Sequence, residues 1–152
     1  MQPTQRLAEL GLALPEVPTP IAAYVNCVRT GNLLFLSGGL PFDGERRVTG
    51  QVPTDLSVDE AREGARICLL NRLAVIQQEV GSLDKVTRIV TLNGFVSSAA
   101  DFFNHPAVIN GASELLIDIF GDAGKHSRTA LGVAALPLNA AVEINLVVEV
   151  AD

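Results

Sequence analysis

The sequence predicts an α+β fold, a two-layer sandwich in which a mixed β-sheet carries two helices on one face. Three observations predict it. Apolar residues recur at helical spacing over two long stretches, each preceded and followed by β-type runs, which gives the order β-β-(β)-α-β-α-β-β. Gly31-Asn32 separates two of the β-type runs by the two residues of a tight hairpin, so part of the sheet is antiparallel. The chain of 152 residues has the length of one domain with a real hydrophobic core, and it is read as a single domain over 1–152.

Residues 1–20 hold Leu7, Leu10, Leu12 and Leu14, followed by Pro15, Pro18 and Pro20. This pattern predicts a short helical turn and then an extended, proline-stiffened N-terminal arm. Strands are expected at Tyr24–Thr30 and Leu33–Ser37, and the second ends in Ser37-Gly38-Gly39-Leu40-Pro41. A glycine pair at a strand end implies a bulge or a close approach to the backbone. Asp43–Arg47 reads as an exposed turn and Val48–Val52 as a short strand.

Ser57 with Glu60 forms a capping box that starts a helix by satisfying its first N–H groups. Ala61, Ala65, Cys68, Leu69, Leu73, Ile76 and Val80 continue it at helical spacing, and Gly81 stops it. Val86–Val96 is the next strand, Ser97–Pro106 a loop, Ala107–Phe120 the second helix and Gly121–Gly124 a flexible loop. From His126 onward, two β-type runs flank Pro137-Leu138-Asn139. A turn there folds the second run back on the first, so that Arg128 and Glu143 meet across a hairpin.

Hydrophobic residues make up 48% of the chain and charged residues only 18%. The mean hydropathy is +0.32, yet no apolar run approaches the roughly 18–20 residues of a membrane span. So apolar a chain without a span is expected to bury part of its surface in an oligomer. The N-terminus has no basic region followed by an apolar core, and the cytoplasm is the expected location. Net charge is −6, and eleven scattered basic residues make no phosphate-binding patch, which argues against nucleic acid as the main partner. Cys27 and Cys68 form no C-x-x-C and are expected as buried thiols. His105 and His126 supply neither a histidine-rich metal site nor the spacing of a Ser-His-Asp triad. Neither a phosphate-loop motif nor G-x-S-x-G is present.

Several polar residues stand out. Arg128 is either a surface arginine at a strand end or a carboxylate anchor, since a guanidinium binds a carboxylate through two parallel hydrogen bonds. Glu143 either pairs with Arg128 or faces a pocket and positions water. Tyr24 covers a sheet edge or lines a cleft. Asn110, in an otherwise apolar helix, bonds to a loop or is solvated. Asn145 shares a strand face with Glu143, which hints at a lined pocket or a subunit seam. His126 is an exposed loop histidine or a base near Arg128.

Together these residues resemble the RidA/YjgF family, also described as endoribonuclease L-PSP proteins, over most of the chain from about Tyr24 onward. The most specific part is R-x(8)-P-x(5)-E, here Arg128, Pro137 and Glu143. The S-G-x-L-P segment, the Phe95-Val96 pair and Asn110 fit as well. The resemblance implies a chorismate-mutase-like α+β fold and a homotrimer whose sheets pack into a barrel-like centre. It implies a cleft between subunits that hydrolyses reactive enamine/imine intermediates of the 2-aminoacrylate type to 2-keto acids and ammonia, without metal or other cofactor. Carried over, Arg128 would bind the substrate carboxylate and Glu143 would orient the attacking water. Tyr24, Asn110 and Gly39 would border the cleft, and the backbone at Thr129–Ala130 would bond to the amino or imino nitrogen. Two features depart from the family pattern. Gly39 stands where Gln is common, and Lys125-His126-Ser127 precedes Arg128 in place of P-x. With the longer N-terminal arm and 97–127 region, they mark a divergent, longer subgroup.

Overall fold

A computed structural model describes all residues 1–152. The first helix, α1 (Pro3–Glu9), starts on a proline, whose missing N–H is not needed in the first turn. It is fastened by Arg6, whose Nε donates to the Asp118 carbonyl at 2.9 Å, and by buried Leu7. Strands β1 (Cys27–Thr30) and β2 (Leu33–Leu36) form the expected hairpin, with Thr30 opposite Leu33 and Gly31 at φ 59°. Helix α2 (Val58–Val80) opens on the capping box, Glu60 N–H to Ser57 Oγ at 3.1 Å and Ser57 N–H to Glu60 Oε1 at 3.2 Å. It closes on left-handed Gly81. Strand β3 (Val86–Ser97), helix α3 (His105–Phe120), and strands β4 (Ser127–Val133) and β5 (Val142–Val150) complete the chain. The stretch 48–52 forms only isolated bridges, Thr49 with Ala140 and Val52 with Ser98, because it pairs with loops and not with a neighbouring strand.

The sheet order is β1-β2-β5-β3-β4. β4 runs parallel to β3, reached through α3, while β5 runs antiparallel to both β3 and β2. The architecture is therefore the expected mixed α+β sandwich with α2 and α3 on one face, and α1 is added against α3. The expected hairpin of β4 with β5 does not form, because β3 lies between them. Burial explains the difference. Val142, Ile144, Leu146, Val148 and Val150 are all at most 1% exposed, so β5 belongs at the centre of the sheet, over α2. β4 has no fully buried residue and takes the edge. The segment after Pro137 crosses the end of β3, where the Ala141 carbonyl accepts from Ser97 N–H at 2.9 Å.

The core is one cluster spanning the sheet and both long helices, including Leu34, Leu69, Leu73, Ile76, Leu92, Ile109, Leu116 and Ile144. Each such side chain contributes about 1.5–3 kcal/mol by leaving water. The opposite sheet face has no covering layer in the single chain, and Val28, Phe35 and Leu131 stand exposed on it. Cys68 is buried and Cys27 half-buried, both as free thiols. No helix is long and apolar enough to cross a membrane.

Candidate functional site

Two clusters of polar side chains flank the sheet, and each is built around an arginine. The first lies where β2 ends. Gly39 is buried and exchanges two backbone hydrogen bonds with Ile144, N–H to O at 2.7 Å and O from N–H at 3.1 Å. This pairing sets Glu143 beside Gly38. A Cβ on Gly38 would lie 2.7 Å from Glu143 Cδ, so only glycine lets the carboxylate approach. On the helix side, a Cβ on Gly39 would lie 2.5 Å from Arg72 Nε. The glycine pair is thus the close approach expected at this strand end, between a carboxylate on the open face and a guanidinium rising from α2.

Arg72 is 2% exposed, donates from Nη1 to the Ser37 carbonyl at 2.9 Å, and leaves Nε buried without a partner. It forms no salt bridge. Burial pushes its pKa down, against the pull of Cys68, Tyr24, Glu143 and Cys27. Half-burial raises the Glu143 carboxyl above the ordinary range, and Arg72 opposes that rise. Cys27 is pushed up to about 11 by burial and by Glu79, with Arg72 pulling it down. Tyr24, 44% exposed, borders the same place and lines a pocket of about 160 Å³ with Gly38, Arg47, Asn71, Arg72 and Leu138. Both amide hydrogens of Asn71 are held, by the Leu40 and Phe42 carbonyls at 2.9 Å each.

The second cluster sits under β4. Arg128 points toward α3, where its Nη1 donates to Asn110 Oδ1 at 2.6 Å and to Ser113 Oγ at 3.3 Å. His126 continues the network. Its Nδ1 lies 2.6 Å from the Gly124 carbonyl, which can only accept, so Nδ1 carries the hydrogen. In the neutral ring Nε2 is then an acceptor, and the Ser113 hydroxyl donates to it at 2.9 Å. His126 therefore orients Ser113, and Ser113 and Asn110 aim Arg128. Thr129 and Ala130 follow on β4, which pairs with β3 on one side only.

Within one chain these clusters do not meet. Arg128 is in register with Leu92 and Glu143 with Phe95, on opposite sides of β3. Two strand spacings and three residues of rise separate them by roughly 14 Å. Arg128 also faces the helices, whereas Glu143 and Asn145 face the open side, where Asn93 Nδ2 donates to Asn145 Oδ1 at 2.9 Å. The expected Arg128–Glu143 contact across a hairpin is absent because no hairpin joins their strands. Tyr24, Gly39 and Glu143 share one cluster, and Arg128, Asn110, Thr129 and Ala130 share the other. Arg72 and Ser113 were not anticipated. Both left a signal, since Arg72 interrupts the apolar stripe of α2 one turn after Cys68, and Ser113 follows Asn110 by one turn of α3. A third pair, Ser98 Oγ and His105 Nε2 at 3.1 Å, borders a pocket of about 430 Å³ and has no carboxylate behind the imidazole.

A model of the YjgF/chorismate mutase-like family, described provisionally as endoribonuclease, matches residues 4–150. The chain belongs to the RidA/YjgF family. Protein TCP17 of Trypanosoma cruzi is 43% identical over 145 residues, covering 94% of this chain and 91% of that protein. The 2-iminobutanoate/2-iminopropanoate deaminase of Escherichia coli is 31% identical over 136 residues, covering 90% and 94%. Among solved structures, the Agrobacterium tumefaciens protein Atu1372, of unknown function, is 42% identical with a TM-score of 0.90. The match covers 98% of this chain and 94% of that one. The RidA/YjgF fold and the hydrolase-type role borne by some of its members therefore frame the two clusters.

Proposed function

We propose that this protein is a hydrolytic deaminase of reactive 2-imino and enamino acids of the 2-aminoacrylate type, working in a cleft between subunits of a cytoplasmic homotrimer. The observation that carries the reading is the division of the site. One chain presents an oriented arginine at its edge strand and a carboxylate with raised pKa at the far side of the sheet, each lacking the other. A neighbouring copy laid against the open face, where Val28, Phe35 and Leu131 are exposed, supplies the missing half and covers that face.

In this cleft Arg128 of one subunit holds the substrate carboxylate through paired N–H donors, with Asn110 and Ser113 fixing its direction. Glu143 of the next accepts a proton from water as the oxygen adds to the imine carbon. With the imine protonated, this gives a carbinolamine. Glu143 then passes its proton to the amino nitrogen. The carbon–nitrogen bond breaks with its electrons going to nitrogen as the hydroxyl becomes C=O, the hydroxyl proton returns to Glu143, and a 2-keto acid and ammonia leave. An enamine first tautomerises to the imine. The carbon is already electrophilic, so orientation of one water supplies much of the acceleration.

The test is ammonia release from freshly generated 2-iminopropanoate. Wild type should exceed spontaneous hydrolysis, and Arg128→Ala should not. A wild type that adds nothing to the spontaneous rate would remove the reading for this substrate. One observation favours a second reading, a carboxylate-binding protein without turnover: the Arg128 guanidinium is engaged by Asn110 and Ser113 within its own chain. That reading predicts binding of 2-ketobutyrate with no release of ammonia from any imino acid.

A further inference from the structure

The pocket beside Tyr24 has a chemistry that a 2-imino monoacid does not use. Two guanidinium groups, Arg47 and Arg72, line it, and no acidic side chain does, on a chain whose net charge is −6. Arg47 is exposed at the mouth, stacked 4.6 Å over the Phe42 ring. Arg72 is at the base, buried, with an unpartnered Nε and no salt bridge. A buried guanidinium without a paired counter-charge is destabilising. Glu143 attracts Arg72 from a distance but does not pair with it: the carboxylate packs on Gly38, the guanidinium on Gly39, and no salt bridge joins them. Asn71, Cys68, Cys27 and Tyr24 are the other polar groups around Arg72, and none is an anion in its ordinary state. An incoming carboxylate completes the set.

We propose that this pocket is a subsite for a second carboxylate, and that the substrate class is 2-imino dicarboxylic acids whose side-chain carboxylate binds Arg72, with Arg47 closing over it. The inference rests on the deaminase reading, since the first carboxylate and the imine occupy the cleft proposed above. The pocket of about 160 Å³ suits a carboxymethyl or carboxyethyl arm.

The test has a binding arm and a turnover arm. In calorimetry, wild type should bind 2-oxoglutarate at least tenfold more tightly than 2-oxobutanoate, and Arg72→Met should abolish the difference. Methionine suits the site because an apolar side chain of similar volume tolerates burial. Arg47→Gln, at an exposed position, should narrow the difference by about threefold and keeps the test alive if the buried variant fails to fold. In turnover, 2-iminoglutarate should be preferred over 2-iminopropanoate by kcat/KM, and Arg72→Met should erase the preference through KM. Equal binding of the two keto acids by wild type overturns the inference. Tight dicarboxylate binding that depends on Arg72, without turnover of either imine, removes the deaminase reading and leaves the subsite standing.

Discussion

Arg128 and Arg72 are the same side chain in opposite situations. Arg128 is half-exposed on an edge strand, where Asn110 and Ser113 accept from its guanidinium and His126 orients Ser113 in turn. Arg72 is buried beneath a glycine pair, with one carbonyl acceptor and an Nε that has none. A satisfied, oriented guanidinium is an anchor prepared in advance, and it loses little when a ligand arrives. An unsatisfied buried one destabilises the empty protein, and a ligand's charge relieves it. The first should therefore govern whether any substrate is held, and the second which substrate.

Glu143→Gln should produce the largest effect, because it removes the proton acceptor. Deaminase kcat should fall by roughly 10²–10⁴-fold, as for other general bases. The same variant should be more thermostable at pH 7. A carboxyl whose folded pKa is raised has its full stability below the unfolded pKa and loses stability as pH rises through the folded one. Melting curves of wild type and variant should converge at acid pH, below the ordinary carboxylate value of 4.5.

The pH profile separates the two arginines. The acid limb of kcat/KM should lie above pH 4.5, since Glu143 must be ionised to accept a proton and burial raises it. Arg72→Met should move that limb further up, because Arg72 pulls the Glu143 pKa down. Ser113→Ala, which keeps the Arg128 charge and removes only its 3.3 Å contact, should leave the limb in place. A shift in the second case and none in the first would reverse the comparison.

Gly39→Ala should destabilise the chain by about 1–3 kcal/mol, the usual cost of a methyl forced into packed space. Its Cβ would stand 2.5 Å from Arg72 Nε, and the displaced guanidinium should lose dicarboxylate binding more than monocarboxylate binding. The smallest effect is expected at Ser113. Ser113→Ala keeps the Asn110 contact and removes one 3.3 Å hydrogen bond from Arg128, so KM should rise about three- to tenfold with kcat little changed.

Much of the fold was legible in local patterns. The Ser57–Glu60 box and Gly81 delimit α2, and Gly31-Asn32 makes the β1–β2 hairpin, because these signals act within a few residues. The expected β4–β5 hairpin does not form for the complementary reason. A turn at Pro137 indicates a change of direction, but not which strand fills the place beside β4, and that choice follows from the burial of β5 over α2. The consequence for the site is large, since β3 now separates Arg128 from Glu143 and alternation sends them to opposite faces. Arg72 is not legible from the apolar stripe of α2, because it is a charged residue at an otherwise apolar helical position. Its meaning depends on Gly39, more than thirty residues away, lacking a Cβ.

The central claim is that a complete site takes Arg128 from one chain and Glu143 from its neighbour, and subunit mixing tests it directly. Arg128→Ala and Glu143→Gln proteins, each inactive alone, are combined in equal amounts, dissociated and reassembled, and deaminase activity is measured. Random reassortment of a cyclic assembly gives about one quarter of its sites both intact groups, so activity should return to about that fraction of wild type. A mixture of Arg72→Met with Glu143→Gln, whose residues lie in the same half-site, should regain no dicarboxylate preference. No recovery in the first mixture, despite exchange of subunits, would contradict the account.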